Sequence, residues 1–147
     1  MTEARFYVAG DPKPKGSTKS FPFKRKDGSI GVSTTNANKH TATWEGRIAT
    51  EAQRQFEQTG VFFKIAVRVD LEFVMPRPKS LKKGYHECRK RPDLDKLMRT
   101  ALDALTGTLI EDDCQVVCLS GRKRYATVDG PTPDAPGVLV YIWGLEE

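Results

Sequence analysis

The stretch Arg91-Pro92-Asp93-Leu94-Asp95-Lys96-Leu97, with Asp103 and then Asp112-Asp113 after it, packs carboxylates into a chain that is otherwise basic. Crowded acids repel, and desolvation raises their pKa values unless something positive sits between them. A divalent cation that prefers hard oxygen ligands, Mg²⁺ or Mn²⁺, fills that role, taking one or two carboxylates, several waters and the oxygens of a phosphate. The chemistry such a grouping suits is phosphodiester hydrolysis. Taken singly, the same residues are ordinary: Asp93 a helix cap, Asp95 a favourable first-turn charge, Asp112-Asp113 a turn. The surroundings favour the metal, because without one these acids would oppose the phosphate backbone that the flanking lysines and arginines attract.

These acids need elements to carry them. A helix is expected from near Asp93 to near Gly107, since Leu94, Leu97, Met98, Ala101, Leu102 and Leu105 fall at i, i+3, i+4, i+7, i+8 and i+11 and form one packed stripe. Asp95, Arg99 and Asp103 share the opposite stripe. At 1.5 Å per residue Asp95 and Asp103 lie about 12 Å apart, so Asp103 cannot join Asp95 on one ion and is expected to pair with Arg99. The partners of Asp95 are then Asp93 and an acid returning from elsewhere. Asp112-Asp113 is in reach, because the six residues from Gly107 extend about 20 Å against about 18 Å of helix. The span is nearly taut, so closure within one chain and closure across a dimer both stay open. Adjacent side chains at the start of a strand point oppositely, and only one of the pair should face the metal.

Elsewhere, Arg5–Ala9 reads as a first strand ended by Gly10, Pro12 and Pro14. From Asp11 to Gly28 runs a long cationic loop with Lys13, Lys15, Lys19, Lys24, Arg25 and Lys26, interleaved with Phe21 and Phe23 and carrying a hairpin turn near Asp27-Gly28. Thr43–Gln58 reads as a helix that lies on a sheet, and Phe62–Val74 as a half-buried strand. Pro76–Arg91 is a second cationic loop, with Lys82, Lys83, Arg89, Lys90 and Arg91 delivering the chain to the acidic motif. Gln115–Tyr125 and Gly137–Trp143 read as the last strands. Phe21 or Phe23 could wedge into opened DNA, although a Phe-Pro-Phe in a loop more often anchors it locally.

The 147 residues suit one domain. An excess of 24 Lys and Arg over 19 Asp and Glu, net +5, favours a polyanionic partner. No apolar run approaches the roughly 18 residues that span a bilayer, and the amino terminus lacks the apolar core of a signal peptide, so a cytoplasmic protein is expected. Cys88, Cys114 and Cys118 make an odd number, which argues for reduced thiols. Sulfurs at 114 and 118 on a strand lie about 13 Å apart, too far for one zinc, so all three are expected as small, partly buried residues.

Pro92-Asp93-Leu94-Asp95-x-Leu97-x-Arg99-x-x-x-Asp103-Ala104-Leu105-x-Gly107 and then Glu111-Asp112-Asp113-x-Gln115-Val116 resemble the RusA family of Holliday-junction resolvases. The opening Phe6-x-Val8-x-Gly10-x-Pro12-x-Pro14-Lys15-Gly16-Ser17 and the later Lys123-x-Tyr125 look like that family too. The resemblance implies Asp93, Asp95 and Asp113 as metal-binding catalytic carboxylates, with Arg99 standing where the family has an essential lysine. Lys96 and Arg99 depart from the family's asparagine and lysine. Both keep or add positive charge, although arginine cannot donate a proton at ordinary pH. Similar variants look typical of members from phages and prophages, and activity is expected.

The elements and the likeness together give an α+β single domain over 1–147, with a mixed β-sheet of four to five strands packed on two main helices, in a homodimer. The expected function is Mg²⁺-dependent endonucleolytic resolution of four-way junctions in recombination and repair, in a bacterial or phage-infected cell. Paired nicks would leave a 5′-phosphate and a 3′-hydroxyl. Asp93, Asp95, Asp113 and Arg99 would be catalytic, and Lys13, Lys15, Lys19, Lys24, Arg25, Lys82, Lys83, Arg89, Lys90, Arg91 and Lys96 would hold DNA, mainly at phosphates. The rival is a basic module that binds nucleic acid without cutting it.

Overall fold

Alternating residues build the sheet. In the computed structural model, which describes residues 2–14, 18–24, 26–27, 30–36, 39–128 and 132–145, strand β4 (Val67–Met75) buries Val67, Val69, Leu71 and Phe73 on one face and turns Arg68, Asp70 and Glu72 to the other. β1 (Glu3–Ala9) and β6 (Gly137–Gly144) follow the same rule, sending Phe6, Val8, Val138, Val140 and Ile142 into the core. With β5 (Val116–Tyr125) they form one mixed sheet in the order β1-β6-β4-β5. β6 is antiparallel to both its neighbours and β4 is parallel to β5, so β1, β4 and β5 run the same way and end at the same rim.

Two helices cover one face: α1 (Lys39–Thr59), through Trp44, Ile48 and Ala52, and α2 (Leu94–Leu105), through Leu97, Ala101, Ala104 and Leu105. α1 starts earlier than its apolar spacing suggested and stops at Gly60, which takes φ +71 and donates its N–H to the Phe56 carbonyl at 2.7 Å. The expected α+β architecture, a mixed sheet of four to five strands packed on two main helices, is met by this four-stranded sheet and its two helices.

Three expectations need correction. The stretch Asp11–Gly28 is not loop throughout, because β2 (Thr18–Lys24) pairs with β3 (Ile30–Asn36) as a separate antiparallel ribbon. Pro22 sits opposite Val32, which a two-stranded ribbon tolerates because each of its strands has an open edge. The strand expected from Phe62 begins only at Val67. Phe63 is buried but donates its N–H to the Leu109 carbonyl at 2.8 Å, so it is tied to the segment after α2 instead of the sheet. Of the cysteines only Cys88 is buried, while Cys114 and Cys118 are exposed on the edge side of β5 and its preceding turn.

Gly137 marks where β6 passes β1 without room for a side chain. A Cβ there would collide with the Val8 carbonyl and the Tyr7 ring, whose hydroxyl donates to the Pro136 carbonyl at 2.9 Å. Gly137→Ala is expected to lower unfolding free energy by about 1–3 kcal/mol, measured by urea titration. An unchanged midpoint would show that the strand pair yields.

Candidate active site

The phase of α2 decides which side chains reach solvent. With Leu97, Thr100, Ala101, Ala104 and Leu105 buried, Asp95 and Arg99 stand exposed on the far side and Asp103 is half-buried. Thr100 is buried without cost because its hydroxyl donates to the Lys96 carbonyl at 3.0 Å. Asp93 occupies the N-cap position in extended conformation, yet its side chain makes no cap hydrogen bond. Its nearest cation is Lys96, with Nζ 3.7 Å from the carboxylate. The carboxylate that could have capped the helix is thus held by an exposed ion pair.

Asp112 and Asp113 lie at a 3₁₀ turn, Asp113–Gln115, and not at the start of a strand. Asp112 caps this turn by accepting from the Cys114 N–H at 2.9 Å, and that backbone bond holds its carboxyl below the usual range. Asp113 is pushed upward, first by its hydrogen bond with Asp112, then by desolvation and by the charges of Asp112 and Asp103, with Arg99 opposing. Asp113 therefore feels α2 at Arg99 and Asp103, one and two turns beyond Asp95. Among the described residues, no three acids, histidines or cysteines are grouped so as to hold a metal ion. The donors themselves suit a hard divalent ion, which takes only one or two carboxylates beside water and phosphate oxygens, and Asp93 and Asp95 are both exposed.

Two residues fix this region that sequence reasoning did not assign. Gln115 uses its whole amide: Oε1 accepts from Glu111 N at 2.7 Å and Asp112 N at 2.8 Å, while Nε2 donates to the carbonyls of Phe63 at 2.8 Å and Ile65 at 2.9 Å. Lys123, reaching inward from β5, donates from Nζ to the carbonyls of Lys90 and Pro92, each at 2.7 Å. The second contact grips the chain one residue before Asp93. The Lys123-x-Tyr125 spacing was the available signal, but nothing in it tells a phosphate-binding lysine from one that holds backbone.

The cationic loops meet where β1, β4 and β5 end. Between them lies a cleft of about 540 Å³, bordered by Lys13 from the first loop and by Lys90 and Arg91 from the second. Lys82, Lys83, Arg89, Lys90, Arg91 and Lys96 are exposed, and Lys13 stands 3.5 Å from Asp11. Lys19 and Lys24 are on β2, whereas Lys15 and Arg25 lie outside the described residues.

Residues 10–131 match the family model described as Endodeoxyribonuclease RusA. The chain belongs to that family. RusA membership implies a Holliday-junction-resolving endodeoxyribonuclease, and the match takes in both cationic loops, α2 and β5. Comparison with curated proteins gave no match. No helix among the described residues is long and apolar enough to cross a membrane.

Proposed function

We propose that the protein is a metal-dependent endonuclease that resolves four-way DNA junctions by paired nicks during recombination and repair in the cytoplasm of a bacterial or phage-infected cell. The observation that carries this is the meeting of two cationic loops at a cleft whose wall, Lys90-Arg91-Pro92, runs directly into Asp93, in a chain of the RusA family. Asp93 and Asp95, completed by Asp113 of the same chain or of the second chain of a dimer, would hold Mg²⁺ or Mn²⁺, and such an ion supplies a nucleophilic water at neutral pH and offsets charge on the phosphate.

The protein's own groups do the rest. Lys13, Lys90, Arg91 and the exposed Lys82 and Lys83 neutralise the DNA backbone, so recognition follows junction shape and binding falls with added salt. Arg99 keeps its charge at every ordinary pH, which suits it to steady the phosphate and not to donate a proton. Lys96, beside Asp93, would contact the same strand.

The test compares a four-way junction with a linear duplex of equal length, in Mg²⁺, in Mn²⁺ and in EDTA. Metal-dependent nicking of the junction is expected. Binding without cutting in either metal would favour the rival reading, a module that only holds nucleic acid. That reading draws on Asp93, Asp95 and Asp113 not forming one group of ligands among the described residues.

Homodimerisation is part of the proposal, and the helix-free face of the sheet is the surface that fits it. Tyr141 and Trp143 stack there with ring centroids 3.8 Å apart, and Arg68 lies 5.0 Å over the Trp143 ring. Opposite charges alternate across the same patch, as in Arg68 with Asp70 and Arg124 with Glu72. A second copy turned by a two-fold axis can match this pattern, whereas DNA would meet the acids. Light scattering should report two chains for wild type and one for Trp143→Arg. A variant that remains dimeric would remove this face.

A further inference from the structure

One cation of the second loop turns its donors back onto the loop itself. Arg77 stands between Pro76 and Pro78, and the two rings restrict the backbone on either side of it and keep Arg77 out of helical conformation. Its guanidinium donates from Nη2 to the Lys82 carbonyl at 2.7 Å and from Nη1 to the Tyr85 carbonyl at 2.8 Å. The chain it spans closes as two successive turns, with the Leu81 N–H on the Pro78 carbonyl at 3.1 Å and the Tyr85 N–H on the Lys82 carbonyl at 3.2 Å. Gly84, at φ +87, makes the second turn possible. The Lys82 carbonyl thus accepts twice, which uses both its lone pairs. Leu81 packs against the core from the first turn, and the His86 carbonyl takes the Tyr125 N–H at 2.8 Å just past the second. What this framework leaves in solvent are the side chains of Lys82 and Lys83.

We propose that Arg77 is a positioning residue for DNA binding, which acts through Lys82 and Lys83 by fixing the backbone from which their ammonium groups reach phosphates, and is not itself a phosphate contact. The proposal rests on the nucleic-acid part of the function proposed above and gives Arg77 a role that counting charges would miss. Exposed carbonyls gain little from a protein donor, because water satisfies them nearly as well. What the two contacts change is the freedom of the loop. Residues that must be ordered at the moment of binding lower affinity, and a turn already closed in the free protein avoids that loss. A guanidinium suits the task because its planar fork reaches two acceptors at once and keeps its charge at every ordinary pH.

The experiment reads binding of the full chain to a fluorescein-labelled four-way junction in EDTA by anisotropy, across a salt series. Wild type, Arg77→Met, the pair Lys82→Gln with Lys83→Gln, and all three changes together form a cycle. The lysine pair variant should lower the dependence of log affinity on log salt by about two units. Arg77→Met should weaken binding by about tenfold when the lysines are present and by less than about twofold when they are gone. A phosphate contact made by Arg77 itself, or a general loss of fold, gives the same factor in both backgrounds and overturns the proposal, as does an Arg77→Met variant that binds like wild type. Gly84→Val is a second test that alters no charge: a β-branched residue does not settle at φ +87, so the turn opens, and binding should fall by at least about threefold only while the lysines are present. Unchanged binding by this variant also overturns the proposal. If the lysine pair variant keeps the affinity and salt dependence of wild type, the proposal falls and the nuclease reading stands. If wild type binds no branched DNA, both fall.

Discussion

Asp95→Asn should bind a four-way junction as tightly as wild type, or more tightly, and nick it at least 100-fold more slowly. The side chain is exposed in the first turn of α2, so its amide costs the fold little beyond a favourable helix-end charge of about 0.3–1 kcal/mol. What changes is the charge near the proposed scissile phosphate. Removing one acid makes the surface more attractive to a polyanion, while removing electrostatic support from the reaction costs on the order of 100- to 1000-fold. Gel-shift binding in EDTA beside nicking in Mg²⁺ measures both. Nicking within threefold of wild type would take Asp95 out of the chemistry. Parallel losses in binding and cutting would mean that the substitution had disturbed α2.

Lys123→Met should be the most damaging change outside the acidic motif. Its ammonium donates to the carbonyls of Lys90 and Pro92, and charged hydrogen bonds of this kind contribute about 1.5–3 kcal/mol each. Methionine keeps the stem and leaves both carbonyls without that partner. Stability should fall by about 3 kcal/mol in urea titration, and nicking should fall by about 10- to 100-fold, because a shift of about 1 Å in a reacting group can cost that much. Junction binding in EDTA should stay within about threefold, since Lys123 spends its charge on the backbone. Lys123→Arg should regain most of the stability. A variant that loses binding as steeply as cutting would assign Lys123 to the DNA.

Residues that repeat at a fixed period announced their elements. The stripe Leu94 to Leu105 gave α2 to within a residue or two, and the alternation through Leu71 and Phe73 gave the core of β4. Failures came where a distant group decided the outcome. Phe62 to Ala66 has strand composition, yet the carbonyls of Phe63 and Ile65 are claimed by Gln115, some 50 residues away. Thr18 to Lys24 carries a proline that argues against a strand, and only the ribbon's freedom from further neighbours admits it. For the site, types and order made Asp93, Asp95 and Asp113 the candidates, but spacing could not show that Asp113 would lie near Arg99 and Asp103. Nor could it show Asp112 diverted to cap a turn.

Because β1, β4 and β5 stop at one rim, the segments leaving them can change length while every strand pairing stays as it is. Doubling such a segment adds only about 0.6 kcal/mol of closure entropy. Grafting longer or differently charged segments onto that rim is therefore a practical route to altering which DNA shapes are accepted, with the carboxylates on α2 left in place.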